Sequence, residues 1–461
     1  MLKSLSAPKK IKTNSYYNTK WFSNLLYMFN KKLAIELLKR GVDEADPYKA
    51  INSSFSIQNN NLSIKDHSIN LGKISKISLI SVGKASVPMA QAVSGRLEID
   101  KGLILATEGS SDPDLDSIEF YKGSHPIPSK KNLEASKHIL DLCEKIGKDE
   151  IVLLLISGGG SALLSYPAKD IPLSDLQKIT DMLLNSSAGI RDINKVRKHI
   201  SQLKGGKLAK VISPGKSISL ILSDVVGDDL EAIASGPTTP DPTTYTMAKS
   251  SLLEQDLWHS SPKSIKNLIL QGERGYREET VKEDLNNCLN IIIGNNRTAV
   301  EGVEKACVER GHDSLIISTQ IEGEAKDVGY VHAAISKEIQ DFGSPVAPPV
   351  IVLSGGELIV SGSSVSNKLG GPNREFVLGA ATKIRNKKNV VIAAIDTDGI
   401  DGKGKSGAVA TGNTVNLINK SPSYYFKKHN TQECFDNINS SIDLGETGTN
   451  VNDLRIMLIG E

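Results

Sequence analysis

The side chains that could do chemistry in this 461-residue chain gather around glycine-rich segments that follow apolar runs. Leu155-Ile-Ser-Gly-Gly-Gly-Ser161 ends in a turn whose successive backbone N–H groups would suit an anion. Leu353-Ser-Gly-Gly-Glu357 repeats the apolar run and Ser-Gly-Gly pattern in the second half. Ser157, Gly158, Gly159, Gly160 and Ser161, with Gly355, Gly356 and Glu357, are therefore candidate phosphate binders, although glycines also serve tight strand exits. Lys84, in Val-Gly-Lys-Ala-Ser, places a cation directly after another β-branched run. Asp224 ends the run Leu220-Ile-Leu-Ser-Asp224, with Asp228 and Asp229 one short turn later. Ala394-Ile-Asp-Thr-Asp-Gly-Ile-Asp401 repeats that pattern with Asp396, Asp398 and Asp401. Mg²⁺ needs only one or two carboxylates when phosphates and water supply the rest, which makes Asp224 and Asp228 candidate ligands. Any one of these aspartates also suits a helix or turn cap. The segment from Asn194 to Lys204 puts Val196, Ile200 and Leu203 on one helical face, with Arg197, Lys198 and Lys204 on what reads as a solvated basic face. Glycine turns, carboxylates and basic groups are together the ingredients of phosphoryl transfer.

Other chemistries are disfavoured. Gly399-Ile-Asp-Gly-Lys-Gly-Lys-Ser406 satisfies the P-loop pattern, but Asp396-Thr-Asp398 separates it from the preceding strand, and 407–412 reads as a weak helix start. We read the match as accidental. Gly158 and Gly160 lack the third glycine of a dinucleotide fingerprint, since position 163 is Leu. No G-x-S-x-G elbow and no H-E-x-x-H site occurs.

The elements that must position these groups alternate. Strands are expected at 77–82, 102–107, 151–156 and 218–222, with helices at 32–40, 133–146 and 174–185. After a charged linker at 272–284, strands at 291–293, 314–318, 350–353 and 390–395 alternate with helices at 299–310, 324–340 and 375–384. Such alternation predicts parallel βαβ units and an α/β fold, whose ligand crevice lies beyond the carboxyl ends of the strands. The length favours two domains. The expected division is a basic extension at 1–31, a first domain at 32–285 and a second at 286–461.

Composition narrows the partners. Lys+Arg 55 against Asp+Glu 53 leaves +2, too balanced for a nucleic-acid or membrane surface. No apolar run approaches the ~20 residues of a membrane helix. Four scattered cysteines without CxxC spacing argue against zinc and disulfides and suit a reducing, cytoplasmic setting. Residues 1–35 carry seven lysines and no acid, which leaves organelle targeting open, although no arginine precedes Arg40. A homodimer is compatible with this composition.

Taken together, the motifs resemble glycerate 2-kinases of the MOFRL type. The likeness is carried by Val82-Gly-Lys-Ala-Ser86, Ser124-His-Pro-Ile-Pro128, the 155–163 segment, Ile193-Asn-Lys-Val-Arg-Lys-His-Ile-Ser201 and Leu203-Lys-Gly-Gly-Lys-Leu-Ala209. It continues through Ser223-Asp-Val-Val-Gly-Asp-Asp229, Ile233-Ala-Ser-Gly-Pro-Thr238, Thr397-Asp-Gly-Ile-Asp-Gly402 and Thr447-Gly-Thr-Asn-Val-Asn-Asp-Leu-Arg455. The resemblance implies a Rossmann-like three-layer α/β/α N-terminal domain, a smaller α/β C-terminal domain and an active site in the cleft between. It implies phosphorylation of D-glycerate at the 2-hydroxyl with ATP and Mg²⁺. It also assigns Lys84 a catalytic role and Arg197 and Asn373 roles in binding. One position departs: the family pattern Gly-Gly-Arg-Asn-Gln-Glu reads Gly370-Gly-Pro-Asn-Arg-Glu375 here, so Pro372 replaces an arginine held to be catalytic. Arg374 is the expected substitute for it. The rival readings are a hydroxypyruvate reductase and, because of Pro372, a non-catalytic glycerate-binding pseudokinase.

Overall fold

In the computed structural model, which describes residues 29–361 and 369–461, two six-stranded sheets are covered by helices. The first contains β1 (Lys76–Val82), β2 (Lys101–Thr107), β3 (Ile118–Gly123), β4 (Glu150–Ile156), β5 (Lys216–Leu222) and β6 (Cys288–Gly294). Every neighbouring pair is parallel, and the spatial order is β3-β2-β1-β4-β5-β6. That is the order of a dinucleotide-type doubly wound sheet, whose direction reverses between β1 and β4. The Val, Ile and Leu runs form strands here because both faces are covered; 151–156 is buried throughout. Each fully buried aliphatic side chain contributes about 1.5–3 kcal/mol.

The second sheet contains β7 (Ser314–Glu324), β8 (Val350–Ile359), β9 (Val390–Asp396), β10 (Gly407–Thr411), β11 (Ser441–Ile442) and β12 (Asp453–Ile459). Its order is β7-β8-β12-β9-β10-β11. Only β7 and β8 pair in parallel, because the last long strand, β12, inserts antiparallel between β8 and β9. The all-parallel expectation fails for this half. Residues 407–411 form a strand instead of a helix start.

Three boundaries also differ from the sequence reading. The strand expected at 291–293 is β6 and pairs with β5, so the first sheet continues past residue 285. The helix expected to end near Gly41 runs Lys31–Glu44 and packs on helix Asn296–Glu309 and the second sheet. Gly41 permits that approach, since a Cβ there would overlap Val303, the Ala299 carbonyl and Leu454. The charged 272–284 segment is no linker between domains. Its Glu279 accepts bonds from the Tyr245 amide and pairs with His199, which ties it to the first unit. A single apolar core containing Leu79, Ile104, Leu153, Leu353, Ile395 and Leu458 joins both sheets. Residues 1–28 of the basic extension lie outside the described residues, and Lys31 already opens a helix. No described helix is long and apolar enough to cross a membrane.

Candidate active site

The reversal between β1 and β4 leaves a gap at the carboxyl edge of the first sheet, and the chain fills it with Lys84 and the 157–161 turn. Val82 leads into Gly83, whose φ of +130° only glycine adopts readily and whose missing side chain makes room for Ser157. The Lys84 amide then donates to the Gly158 carbonyl at 2.8 Å, and the Ala85 amide to Ser157 Oγ at 3.0 Å, so the two strand exits are stitched together. Gly159, at φ +82°, turns the chain into the short helix Gly160–Leu163. Gly158 is constrained from above: a Cβ there would overlap the Asp224 carboxylate, which descends from the end of β5.

Of these, Ser157, Gly159, Gly160 and Asp224 line a cleft of about 850 Å³. Its lining combines His125, Ser157, Gly159, Gly160, Ser161 and Arg197 with the carboxylates Asp224, Glu322 and Glu357. The second sheet reaches the same place through Asp398, in the turn after β9, which accepts from Lys84 Nζ at 3.0 Å. Burial pulls the Lys84 ammonium down, but Asp398, Asp396 and Asp224 outweigh it and hold its pKa above the ordinary value. Burial raises the Asp224 carboxyl despite nearby Lys84. Glu357 is open to the cleft, yet protein encloses it on its other sides. That desolvation, with Asp453, Asp224 and Glu322 close by, pushes its carboxyl to about 7. Desolvation also lowers Arg197 to about 10, and its guanidinium has no carboxylate partner among the described residues. His125, which the sequence reading did not select, is lowered by burial and by the charges of Lys84 and Arg197.

Several expected site residues lie elsewhere. Gly355 and Gly356 sit inside β8 rather than at its exit. Gly355 makes room for Asn296, Gly356 for the backbone of β7 at Ile321, and both carbonyls accept from Arg455. Of that second Ser-Gly-Gly segment only Glu357 reaches the cleft. Asn373 is buried and donates to Asp453 Oδ1 at 2.5 Å. Arg374 is fully buried in helix Pro372–Lys383; it donates to the Lys405 carbonyl at 2.7 Å and the Asp401 carbonyl at 2.6 Å, beside the Asp401 carboxylate. It cannot take over the role implied for an arginine at 372, because the first helical turn directs position 374 into the core. Pro372 itself fits at the first position of that helix. Asp228 accepts from Asn295 Nδ2 and does not line the cleft, so Asp224 lacks the partner expected for it.

The basic face read between 194 and 204 is not solvated. Lys198 is buried against Asp241 at 3.2 Å, and Lys204 donates to the Ser161 and Leu164 carbonyls beneath the glycine turn. Burial and Arg197 lower Lys204 to about 7. Lys405 pairs with Asp436 at 2.9 Å, and strand β10 follows Ser406 directly, so the P-loop pattern has neither the helix nor the free lysine it needs. Among the described residues no three His, Cys, Asp or Glu side chains converge with metal-ligand spacing.

Known proteins share this architecture. A family model described as "Domain of unknown function (DUF4147)" matches residues 33–270, and the MOFRL family model matches residues 350–453. The chain is 38% identical to the glycerate 2-kinase of Pyrococcus horikoshii over 94% of this chain and 98% of that one. It is 35% identical to a putative hydroxypyruvate reductase of Agrobacterium vitis over 83% and 87% of the two chains. The crystal structure of a glycerate kinase from Thermotoga maritima superposes with a TM-score of 0.81 at 33% identity, covering 93% of this chain and 99% of that one.

Proposed function

The chain belongs to the MOFRL-type glycerate 2-kinase family, and from that premise we propose that it transfers the γ-phosphoryl group of ATP to the 2-hydroxyl of D-glycerate, giving 2-phosphoglycerate. The observation that carries the reading is the pairing of Lys84 with the 157–161 turn at the point where the first sheet reverses direction. The amides of Gly158, Gly159 and Ser161 make no bond among the described backbone groups, so they are free to donate to phosphate oxygens. Arg197 adds a cation without a carboxylate partner among the described residues, and with Arg374 buried and Arg191 paired with Asp229 it is the better placed arginine for the transferring group. Lys84 offsets charge on the γ-phosphoryl oxygens, a positioned interaction of the type that lowers barriers by several kcal/mol. As the glycerate oxygen bonds to phosphorus and the bond to ADP breaks, Asp398, beside Lys84, accepts the hydroxyl proton. A loose transition state asks little basicity of it.

Mg²⁺ fits Asp224 and Glu357. Both are oxygen ligands, and burial has raised both carboxyls in a way that a cation would relieve. Bound there with the nucleotide, the ion would neutralise phosphate charge. We also propose that the domain division falls after Gly294, with helix Lys31–Glu44 counted with the second unit, since its packing lies there.

The name borne by the A. vitis relative favours a second reading, reduction of hydroxypyruvate. Leu163 in place of the third fingerprint glycine weighs against it. Two incubations test the readings: protein with D-glycerate, ATP and Mg²⁺, followed by phosphorus NMR, and protein with hydroxypyruvate and a reduced nicotinamide, followed by absorbance. A 2-phosphoglycerate resonance is expected. A 3-phosphoglycerate resonance overturns the regiochemistry, and nicotinamide oxidation with hydroxypyruvate in its absence overturns the kinase.

A further inference from the structure

The lining of the cleft mixes the polar groups described above with large exposed aliphatic side chains. Leu184 ends helix Leu173–Leu184, Ile190 begins helix Ile190–His199, and both side chains line the cleft. They are 40% and 48% exposed, so both offer apolar surface to whatever enters the cleft. Gly189 between them faces open space, with nothing within 4 Å of where a Cβ would stand. Ile190 and Arg197 are seven residues apart, hence on one helical face and about 10 Å apart along the axis. An apolar pair, a gap and a cation without a carboxylate partner among the described residues thus line the same cleft as the 157–161 turn, beside which Lys84 stands.

We propose that the Leu184–Ile190 rim receives the nucleobase of the donor nucleotide, with its phosphates running past Arg197 to the glycine turn. The proposal rests on the kinase reading and names its donor subsite. The occupant follows from the chemistry: a flat heteroaromatic base gains from covering two exposed aliphatic side chains, whereas glycerate is too small and polar to do so. The phosphates in turn require the cationic end. In this arrangement the first unit holds the base and the phosphates directly, and the second sheet brings Glu357 to the cation and Asp398 to the point of transfer.

Calorimetric titration of the full chain with ADP and, separately, with inorganic tripolyphosphate tests the assignment, because only the first ligand carries a base. Leu184→Ser and Ile190→Ser should each weaken ADP about five- to tenfold. Tripolyphosphate should shift by less than about twofold in both. Met247→Ser, a similarly exposed apolar position outside the cleft lining, should leave both ligands unchanged. Unchanged ADP binding in both rim variants overturns the rim, as does equal weakening of the two ligands; the kinase reading survives either result. A wild-type chain that binds neither ligand and transfers no phosphate overturns both.

Discussion

The segments 155–161 and 353–357 share a buried apolar run followed by Ser-Gly-Gly, yet one becomes a turn facing a cleft and the other stays inside a strand. The neighbours decide. Beyond Ile156 the β1–β4 pair reaches the reversal point of the sheet, and Gly159 turns the chain away. Beyond Leu353 both flanking strands continue: Glu322 pairs with Glu357 on one side and Asp453 with Gly356 on the other. The first set of glycines turns the chain at the edge of the cleft. The second lets Asn296, Arg455 and the β7 backbone approach. The cations divide in a similar way: Arg197 lines the cleft and Lys84 stands beside the glycine turn, paired with Asp398, whereas Arg374 and Lys405 are committed to partners away from it. A Ser-Gly-Gly motif therefore marks close approach of something to the backbone, and only the topology tells whether that is a ligand or the protein itself.

Substitutions that separate stability from activity test this contrast. The largest effect should come from Arg374→Ala, which leaves the buried Asp401 carboxylate without its guanidinium. About 3–5 kcal/mol of stability should be lost in denaturant unfolding. If a stably folded Arg374→Ala protein instead lost turnover selectively, the arginine would belong to the cleft. Lys84→Ala should do the opposite. We expect kcat/KM to fall at least about 100-fold, or about 2.7 kcal/mol, with the melting temperature nearly unchanged. Near-normal turnover would move the charge-offsetting role to Arg197.

The glycines provide the next comparison. Gly355→Ala should cost about 2 kcal/mol of stability through overpacking against Asn296, with turnover per folded molecule retained. Gly158→Ala, which displaces Asp224, should depress turnover by more than its loss of stability explains. A pH profile then probes the acidic lining. Because Glu357 is raised to about 7, it holds its proton below that pH and cannot serve a cation. The kcat/KM with Mg²⁺ and ATP should therefore rise as pH increases through about 7, and Glu357→Gln should remove that inflection at lower overall activity. A wild-type profile flat across this range would detach Glu357 from cation binding. The smallest effect is expected from Lys405→Ala. It removes a partly exposed ion pair worth at most about 0.5–1 kcal/mol and should leave the KM for ATP unchanged. A crippled variant would make the 399–406 loop the phosphate site after all.

From the sequence alone, the strands of the first sheet, the glycine turn at 157–161, the place of Lys84 after a strand and the accidental nature of the P-loop match were legible. Each depends on local order: a β-branched run, then glycine, then a charge, in a chain that alternates strand and helix. Their juxtaposition was not legible, because β1 and β4 are far apart in sequence and meet only through pairing. The same holds for the insertion of β12 between β8 and β9, and for the helix Lys31–Glu44 that crosses to the other unit. Burial was the other hidden quantity. Lys198 and Lys204 read as solvent-facing cations and Arg374 as a ligand-facing one, and tertiary packing surrounded each with carbonyl or carboxylate oxygens. Residue type and spacing determine which groups a chain can present, whereas long-range pairing decides which of them meet a ligand, since desolvation and partnership are properties of the neighbours rather than of the residue.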